Sequence, residues 1–394
     1  MAIKGIQDLA IKGASVFCRF DFNVPMSPDG TIGDDTRLRR ALPTLKYIIQ
    51  EGGKCIAASH LGRPKGEKRP ELSLRPVAAR LGALLGREVA FVPDCVGDAV
   101  AEAVSRMVDG DVLLLENLRF YPGETKNDPA FAAQLASLAD IYVNDAFGTA
   151  HRAHASTVGV PKLLKQKAAG LLMKEELDNL GKALENPPRP VVAIFGGAKV
   201  SDKLGILQNF LRSVDAMIIA GGMANTFLAA QGVRVGRSKV EDDMFETARQ
   251  ILADATAAGC KIVLPEDVVA AAAMDGSGDV QIAPVSDIPE ELMALDIGPK
   301  TVERFVEIIR TAATIIWNGP MGVFETEGFA RGTMEVARAV AQSAAFSLVG
   351  GGDTIRAVRK AGVEQRISYI STGGGAFMEF LEGKTLPGVE ALES

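Results

Sequence analysis

Histidine and cysteine are scarce in this 394-residue chain, at three and four residues, and there is one tryptophan. Cys18, Cys55, Cys95 and Cys260 lie far apart and form no C-x-x-C pair, so buried free thiols are expected. His151 and His154 form H-x-x-H with no third ligand at metal-site spacing, so a structural or hydrogen-bonding role is expected in place of zinc. No uninterrupted apolar run reaches membrane-spanning length, and Met1–Asp8 carries no secretory h-region. A cytoplasmic chain with no membrane partner is expected. A net charge of −6 provides no general attraction to nucleic acid, so any anion site must be made locally. The templates G-x-G-x-x-G, G-x-x-x-x-G-K-[ST] and G-x-S-x-G are not met at the turns that matter. A dinucleotide fold, a P-loop and a serine nucleophile are therefore not indicated.

What is present is an α/β rhythm. A 47% hydrophobic, 23% charged chain of this length is globular, and two domains are expected. Strand-like runs at Ser15–Phe20, Lys54–Ala58, Val89–Val92, Val112–Leu115 and Ile141–Val143 alternate with helical patterns, the first carrying Leu38, Leu42, Leu45 and Ile49. Such alternation implies βαβ units and a doubly wound parallel sheet. Ligands bind beyond the carboxyl ends of strands in these sheets. Arg37, Arg63, Arg119 and Arg152 all lie at or just after strand exits, or begin the next helix. Converging guanidinium groups repel unless they face a polyanion, and their planar fork suits carboxylate or phosphate. Asp21 and Asn23 at the first exit offer hydrogen bonds suited to ligand hydroxyls, and His60 stands beside Arg63.

A long amphipathic helix ends near Leu184, and Glu185-Asn-Pro-Pro-Arg-Pro190 stops it. The second half opens with Val191-Val-Ala-Ile-Phe-Gly-Gly-Ala-Lys-Val-Ser-Asp-Lys203, a strand running into glycines and then a helical pattern. Glycines there let backbone N–H groups approach a phosphate. Lys199 and Lys203, four apart, would share one helical face, either as solvated charges or around an anion. Further strand exits carry Gly221-Gly222, Asn318-Gly-Pro-Met-Gly-Val-Phe-Glu325, Gly350-Gly-Gly-Asp-Thr354 and Gly373–Gly375. Thr354 can donate a hydrogen bond, and Asp353 is either an N-cap or an oxygen ligand for nucleotide-bound Mg²⁺. Asp275–Asp279 reads as a surface excursion. One half thus suits a small polyanion and the other a nucleotide. A nicotinamide-dependent dehydrogenase and a catalytically silent sugar-phosphate binding protein are the rival readings. The first lacks its fingerprint, and the second would lack the lysine pair or Asp353.

Asp21-Phe-Asn-Val-Pro, Ser59-His-Leu-Gly-Arg-Pro, Glu116-Asn-Leu-Arg-Phe, Asn144-Asp-Ala-Phe-Gly-Thr-Ala-His-Arg, Phe195-Gly-Gly-Ala-Lys-Val-Ser-Asp-Lys, Trp317-Asn-Gly-Pro-Met-Gly-Val-Phe-Glu and Gly350-Gly-Gly-Asp-Thr together closely resemble the phosphoglycerate kinase family. They cover nearly the whole chain in the family's order. The resemblance implies two Rossmann-like domains joined by a long helix and hinge, with a cleft between them, in a monomer. Its segments fall at 1–172, 173–190, 191–375 and 376–394, the last packing back on the first domain. The implied reaction is reversible phosphoryl transfer between 1,3-bisphosphoglycerate and ADP, giving 3-phosphoglycerate and ATP. By the same resemblance Asp21, Phe22, Asn23, Arg37, His60, Leu61, Gly62, Arg63, Arg119 and Arg152 bind the acid. Gly197, Ala198, Lys203, Gly221, Pro320, Val323, Glu325, Gly351, Gly352, Asp353 and Thr354 bind nucleotide, with Mg²⁺ at Asp353. Arg37, Lys199 and Lys203 are the expected catalytic charges. The accepting carboxylate is ionised at pH 7, so no general base is expected and direct in-line transfer with domain closure is implied.

Overall fold

The computed structural model describes residues 3–393; Met1, Ala2 and Ser394, which end the first and last expected segments, lie outside the described residues. The chain divides into two compact units. Unit 1 comprises 1–177 with 385–394, and unit 2 comprises 178–384.

Unit 1 is built on strands β1 (Ser15–Phe20), β2 (Lys54–Ala58), β3 (Ala90–Phe91), β4 (Val112–Leu114), β5 (Ile141–Asp145) and β6 (Gln166–Ala169). They form one six-stranded sheet in the order β3-β4-β2-β1-β5-β6, parallel throughout. Chain order reverses at β1, with β2 on one side and β5 on the other. This is where such a sheet opens a crevice at its carboxyl edge. β1 is buried along nearly its whole length, as expected of a strand covered on both faces. The helix Thr36–Gln50 packs Leu38, Ala41, Leu45 and Ile48 into the core, while Leu42 and Ile49 from the expected stripe sit at its half-buried margin. Each large apolar side chain fully withdrawn from water in this core contributes about 1.5–3 kcal/mol. The last residues of the chain belong to the same unit: the Gly388 carbonyl accepts Asn144 Nδ2 at 3.2 Å, and Gly388 N–H donates to the Ala150 carbonyl at 2.8 Å.

Unit 2 repeats the plan with β7 (Val191–Phe195), β8 (Ala216–Ile219), β9 (Lys261–Val263), β13 (Thr314–Asn318), β14 (Phe346–Gly350) and β15 (Tyr369–Ser371). The order is β15-β14-β13-β7-β8-β9, again parallel, with the reversal between β7 and β13. Trp317, Phe305, Ile194, Ile218 and Val336 are fully buried in its core. A second sheet was not foreseen. β10 (Asp267–Ala271), β11 (Val280–Pro284) and β12 (Met293–Ile297) pair antiparallel around β10, with a register shift at Val269/Ala270. β11 is mostly exposed, and the apolar run Val268–Met274 that contains β10 does not by itself tell strand from helix, so the sequence does not mark this sheet. Asp275–Asp279 is the loop before β11, exposed along its length. All four cysteines are buried and free. Among the described residues no helix is long and apolar enough to cross a membrane.

Candidate active site: an arginine cradle and a nucleotide cavity

In unit 1 the expected acid-binding residues gather at the carboxyl edge of β4, β2, β1 and β5. Arg37, the second residue of its helix, is bonded to Asp21 Oδ2 at 2.5 Å. Asp21 Oδ1 accepts the Asn23 N–H at 3.2 Å, and Asn23 Oδ1 accepts the Gly62 N–H at 2.8 Å, which ties the exits of β1 and β2 together. Arg119 comes from a single turn of 3-10 helix, Leu118–Phe120, and is 5% exposed. One of its amino nitrogens donates to the Gly62 carbonyl at 2.8 Å, while its Nε and other amino nitrogen are buried without a partner. Burial, and then the charges of Arg19 and Arg152, bring this guanidinium down to about 10. Arg152 donates to His151 Nε2 at 3.1 Å, and Arg63 is exposed on the loop after β2.

His60 is buried where these charges converge. Burial above all, then Arg19, Arg119, Arg37 and Arg152, hold its imidazole well below the ordinary value, so the ring is neutral. Phe22 and Leu61 point into the core, so they can offer a ligand only backbone groups. Arg19, inside β1 and fully buried, was missed by the sequence reading. It donates to Ser156 Oγ at 2.8 Å and faces His60 Nδ1 at 3.1 Å. A charged residue in an otherwise apolar strand is the signal that could have found it. Among the described residues no three His, Cys, Asp or Glu side chains form a metal cluster.

Unit 2 contains a cavity of about 320 Å³, at the lower end of the range for small-molecule sites. One wall is made by the strand exits, with Gly197, Ala198, Gly221, Pro320 and Val323, and the other by the antiparallel sheet, with Val268, Met293 and Leu295. Glu325 and Asp353 also line it. An apolar slot with a few polar groups at its margin suits a flat heterocycle carrying a charged tail. The first wall is backbone packed on backbone. A Cβ on Gly196 would lie 1.9 Å from the Pro320 carbonyl oxygen, and one on Gly221, whose φ is +69°, 2.7 Å from that of Gly197. Gly351 and Gly352 open the helix Gly352–Lys360. Thr354 is buried, and its hydroxyl accepts the Gly319 N–H at 2.7 Å. Asp353 lies in the first turn, its carboxylate 2.7 Å from Arg356, which also reaches Glu325 at 3.1 Å; Gly351 takes the N-cap position.

The shared helical face expected for Lys199 and Lys203 does not form. Residues 196–200 continue as a turn, Ser201–Lys203 is a single turn of 3-10 helix, and the α-helix starts only at Leu204. Lys199 is exposed on that turn, whereas Lys203 is buried. Two N–H groups just ahead of that α-helix are capped by a side chain from elsewhere in the unit. Glu241 Oε2 accepts Val200 N–H at 2.6 Å and Ser201 N–H at 3.2 Å, and Oε1 accepts the Ser201 hydroxyl at 2.5 Å. Burial opposes ionisation of Glu241, but those bonds and the Lys199 charge outweigh it and keep its pKa low.

Lys203 Nζ instead spends its three protons on Gly196 O, Asn318 O and Asn318 Oδ1, at 2.7, 2.7 and 2.5 Å. It therefore sits at the ends of β7 and β13, where chain order reverses. Burial brings its ammonium down to about 7, against the opposing pull of Asp202 and Asp353. Asn318 is a second residue that sequence reasoning missed. Asp296, in the cavity wall, is a third. It accepts the Gly332 N–H at 2.7 Å, and burial raises its carboxyl to about 7.

Cationic side chains at one parallel-sheet edge and a heterocycle-sized cavity at another suit an enzyme that acts on an acidic substrate with a nucleotide, as a phosphotransferase does. The comparisons with known proteins agree. The phosphoglycerate kinase family model matches residues 6–384. The phosphoglycerate kinase of Koribacter versatilis is 56% identical over 400 residues, spanning 100% of this chain and 99% of that one. That of Desulfosudis oleivorans is 54% identical over 391 residues, spanning 99% of each. Among solved structures, phosphoglycerate kinase from Coxiella burnetii superposes with a TM-score of 0.94 at 41% identity, over 99% of both chains. The enzyme from Pyrococcus horikoshii gives 0.83 at 34% identity, over 99% of this chain and 98% of that one. The chain belongs to the phosphoglycerate kinase family, and its activity is that glycolytic phosphoryl transfer.

Proposed function

We propose that the unit 1 cradle holds 3-phosphoglycerate, or its 1-phosphorylated form, and that the unit 2 cavity holds ADP or ATP. The observation that carries this reading is Arg119, whose two buried nitrogens without partners lie under the charges of Arg19 and Arg152. Unpaired buried donors are costly, and a phosphate or carboxylate relieves both that cost and the mutual repulsion. Asp21 and Asn23 then meet hydroxyl groups, and neutral His60 offers a hydrogen bond without adding charge. In the cavity the base lies between the two walls, with its phosphates toward Asp353 and the β14 turn.

Transfer needs no base, because the accepting carboxylate is already ionised. What the residues supply is alignment and positive charge around the moving phosphoryl group, from Arg37, Lys203 and Lys199. All three Lys203 protons are committed to carbonyl oxygens, so its contribution requires at least one to be exchanged for a phosphate oxygen. Substrates held by separate units must also be brought to contact distance, so the reading requires domain closure. The donor set fits Mg²⁺ held mainly by the nucleotide: Asp353 is an exposed carboxylate at the cavity margin that shares Arg356 with Glu325, and among the described residues no three such side chains gather as a metal cluster. When bound, the ion would offset phosphate charge. One chain carries every group invoked, so a monomer is sufficient. A coupled assay for 3-phosphoglycerate-dependent ATP consumption tests the whole reading. Consumption of ATP without the acid, or none with it, would overturn it.

A further inference from the structure

Behind the cradle lies a chain of buried polar groups whose proton directions are all determined. Glu124 is fully buried; its Oε2 accepts the Ser156 N–H at 3.0 Å and its Oε1 accepts the Ser156 hydroxyl at 2.6 Å. Having given its proton to Glu124, the Ser156 hydroxyl presents lone pairs to Arg19 Nε at 2.8 Å. Tyr142 fixes the same residue by donating to the Ser156 carbonyl at 2.8 Å. Arg19, held in register between Ala58 of β2 and Asn144 of β5, then places an amino nitrogen 3.1 Å from His60 Nδ1.

A guanidinium has five donors and no acceptor. Nδ1 must therefore be the unprotonated nitrogen, which leaves the imidazole proton on Nε2. A doubly protonated ring would set one N–H against another. His154 does not draw Glu124 away. Its Nδ1 is 3.7 Å from Oε1, and burial, followed by Arg119, Arg19, Arg152 and His151, brings it down to about 3, so it is neutral.

We propose that Arg19, held from behind by Ser156 and Glu124, is a positioning residue that fixes His60 as its Nε2–H tautomer, so that the ring meets an acidic ligand as a hydrogen-bond donor. A free imidazole exchanges between tautomers, and one of the two turns a lone pair toward an oxyanion. Arg19 removes that form before the ligand arrives. The inference rests on His60 facing the acid, as in the function proposed above, but the tautomer itself can be read without any ligand.

Long-range ¹H–¹⁵N correlation spectra of the ligand-free full chain distinguish Nε2–H, Nδ1–H and doubly protonated rings, and three histidines make assignment direct. Wild type is expected to show His60 as Nε2–H alone. Arg19→Met should populate the Nδ1–H form and raise KM for 3-phosphoglycerate roughly threefold to tenfold, the size of one net hydrogen bond, with a smaller effect on kcat. Ser156→Ala should shift both readouts less, in the same direction. A wild-type proton on Nδ1 or on both nitrogens overturns the proposal, as does an Arg19→Met spectrum unchanged from wild type. If Arg19→Met does not fold, the wild-type tautomer and Ser156→Ala decide. A correct tautomer in an enzyme that ignores 3-phosphoglycerate would refute the ligand assignment and leave the positioning role standing.

Discussion

Replacing Lys203 by methionine separates a catalytic role from a structural one, because the structure sets two opposing costs of similar size. The folded protein holds this ammonium at about 7 against an ordinary 10.5, chiefly through burial. At about 1.4 kcal/mol per pH unit, the site disfavours the charge by about 5 kcal/mol, which methionine abolishes. Methionine also leaves Gly196 O and Asn318 Oδ1 without a donor, at about 1–3 kcal/mol each, while Asn318 O keeps the Gly196 N–H. The two nearly cancel, so the melting temperature should move by no more than about 5 °C. Turnover should nonetheless fall by about 10²–10⁴, the usual effect of removing a group that meets developing charge. Steady-state kinetics and thermal unfolding on the same preparation read both. A normal kcat would refute the role in transfer, and a melting point lowered by more than about 10 °C would show that Lys203 is chiefly structural. The pH dependence adds a check of sign. Between about pH 7 and 10.5 the unfolded chain keeps this proton while the folded one releases it. Wild type should therefore gain stability relative to the methionine variant as pH rises through that window, and the gap should be constant below it.

Arg119→Met removes a buried charge two of whose three nitrogens have no partner, so unfolding should show no loss of stability, while KM for 3-phosphoglycerate rises at least about tenfold; a large drop in stability would mean that the guanidinium is paired in the free protein. Gly196→Ala drives a Cβ into the Pro320 carbonyl and should cost more than about 3 kcal/mol in denaturant unfolding, or prevent soluble expression. Asp353→Asn should weaken Mg²⁺-nucleotide binding in calorimetry several-fold and leave 3-phosphoglycerate binding unchanged; equal losses for both ligands would argue against a metal role.

The cationic cradle was legible because parallel strands bring all their carboxyl ends to one edge, so Asp21, Arg37, His60, Arg119 and Arg152 could be grouped from strand exits alone. Arg19 escaped because its function depends on neighbours across the sheet, Ser156 on one side and His60 on the other. Lys199 and Lys203 show the opposite failure. Spacing of four predicted a common helical face, but the helix start is set by Glu241, some forty residues away, which caps the backbone first. The second cavity wall was invisible for a similar reason. The strands β10–β12 owe their form to pairing with one another and not to their own pattern. Roles within the nucleotide site came from family resemblance; the glycines by themselves point only to close backbone packing, which is what most of them provide.

On the function proposed above, that packing bears on how nucleotide choice can change. The wall formed by Gly197, Gly221, Gly222 and Pro320 offers a ligand mostly peptide groups, and Gly221, Gly222 and the neighbouring Gly196 have no room for one more atom. Substitution there is a test of viability and cannot retune preference. The opposite wall is made of side chains, among them Val268, Met293 and Leu295. Heritable drift in base selectivity, and any laboratory library aimed at it, has its accessible paths on that one face, while the other acts as a fixed template against which variants are judged.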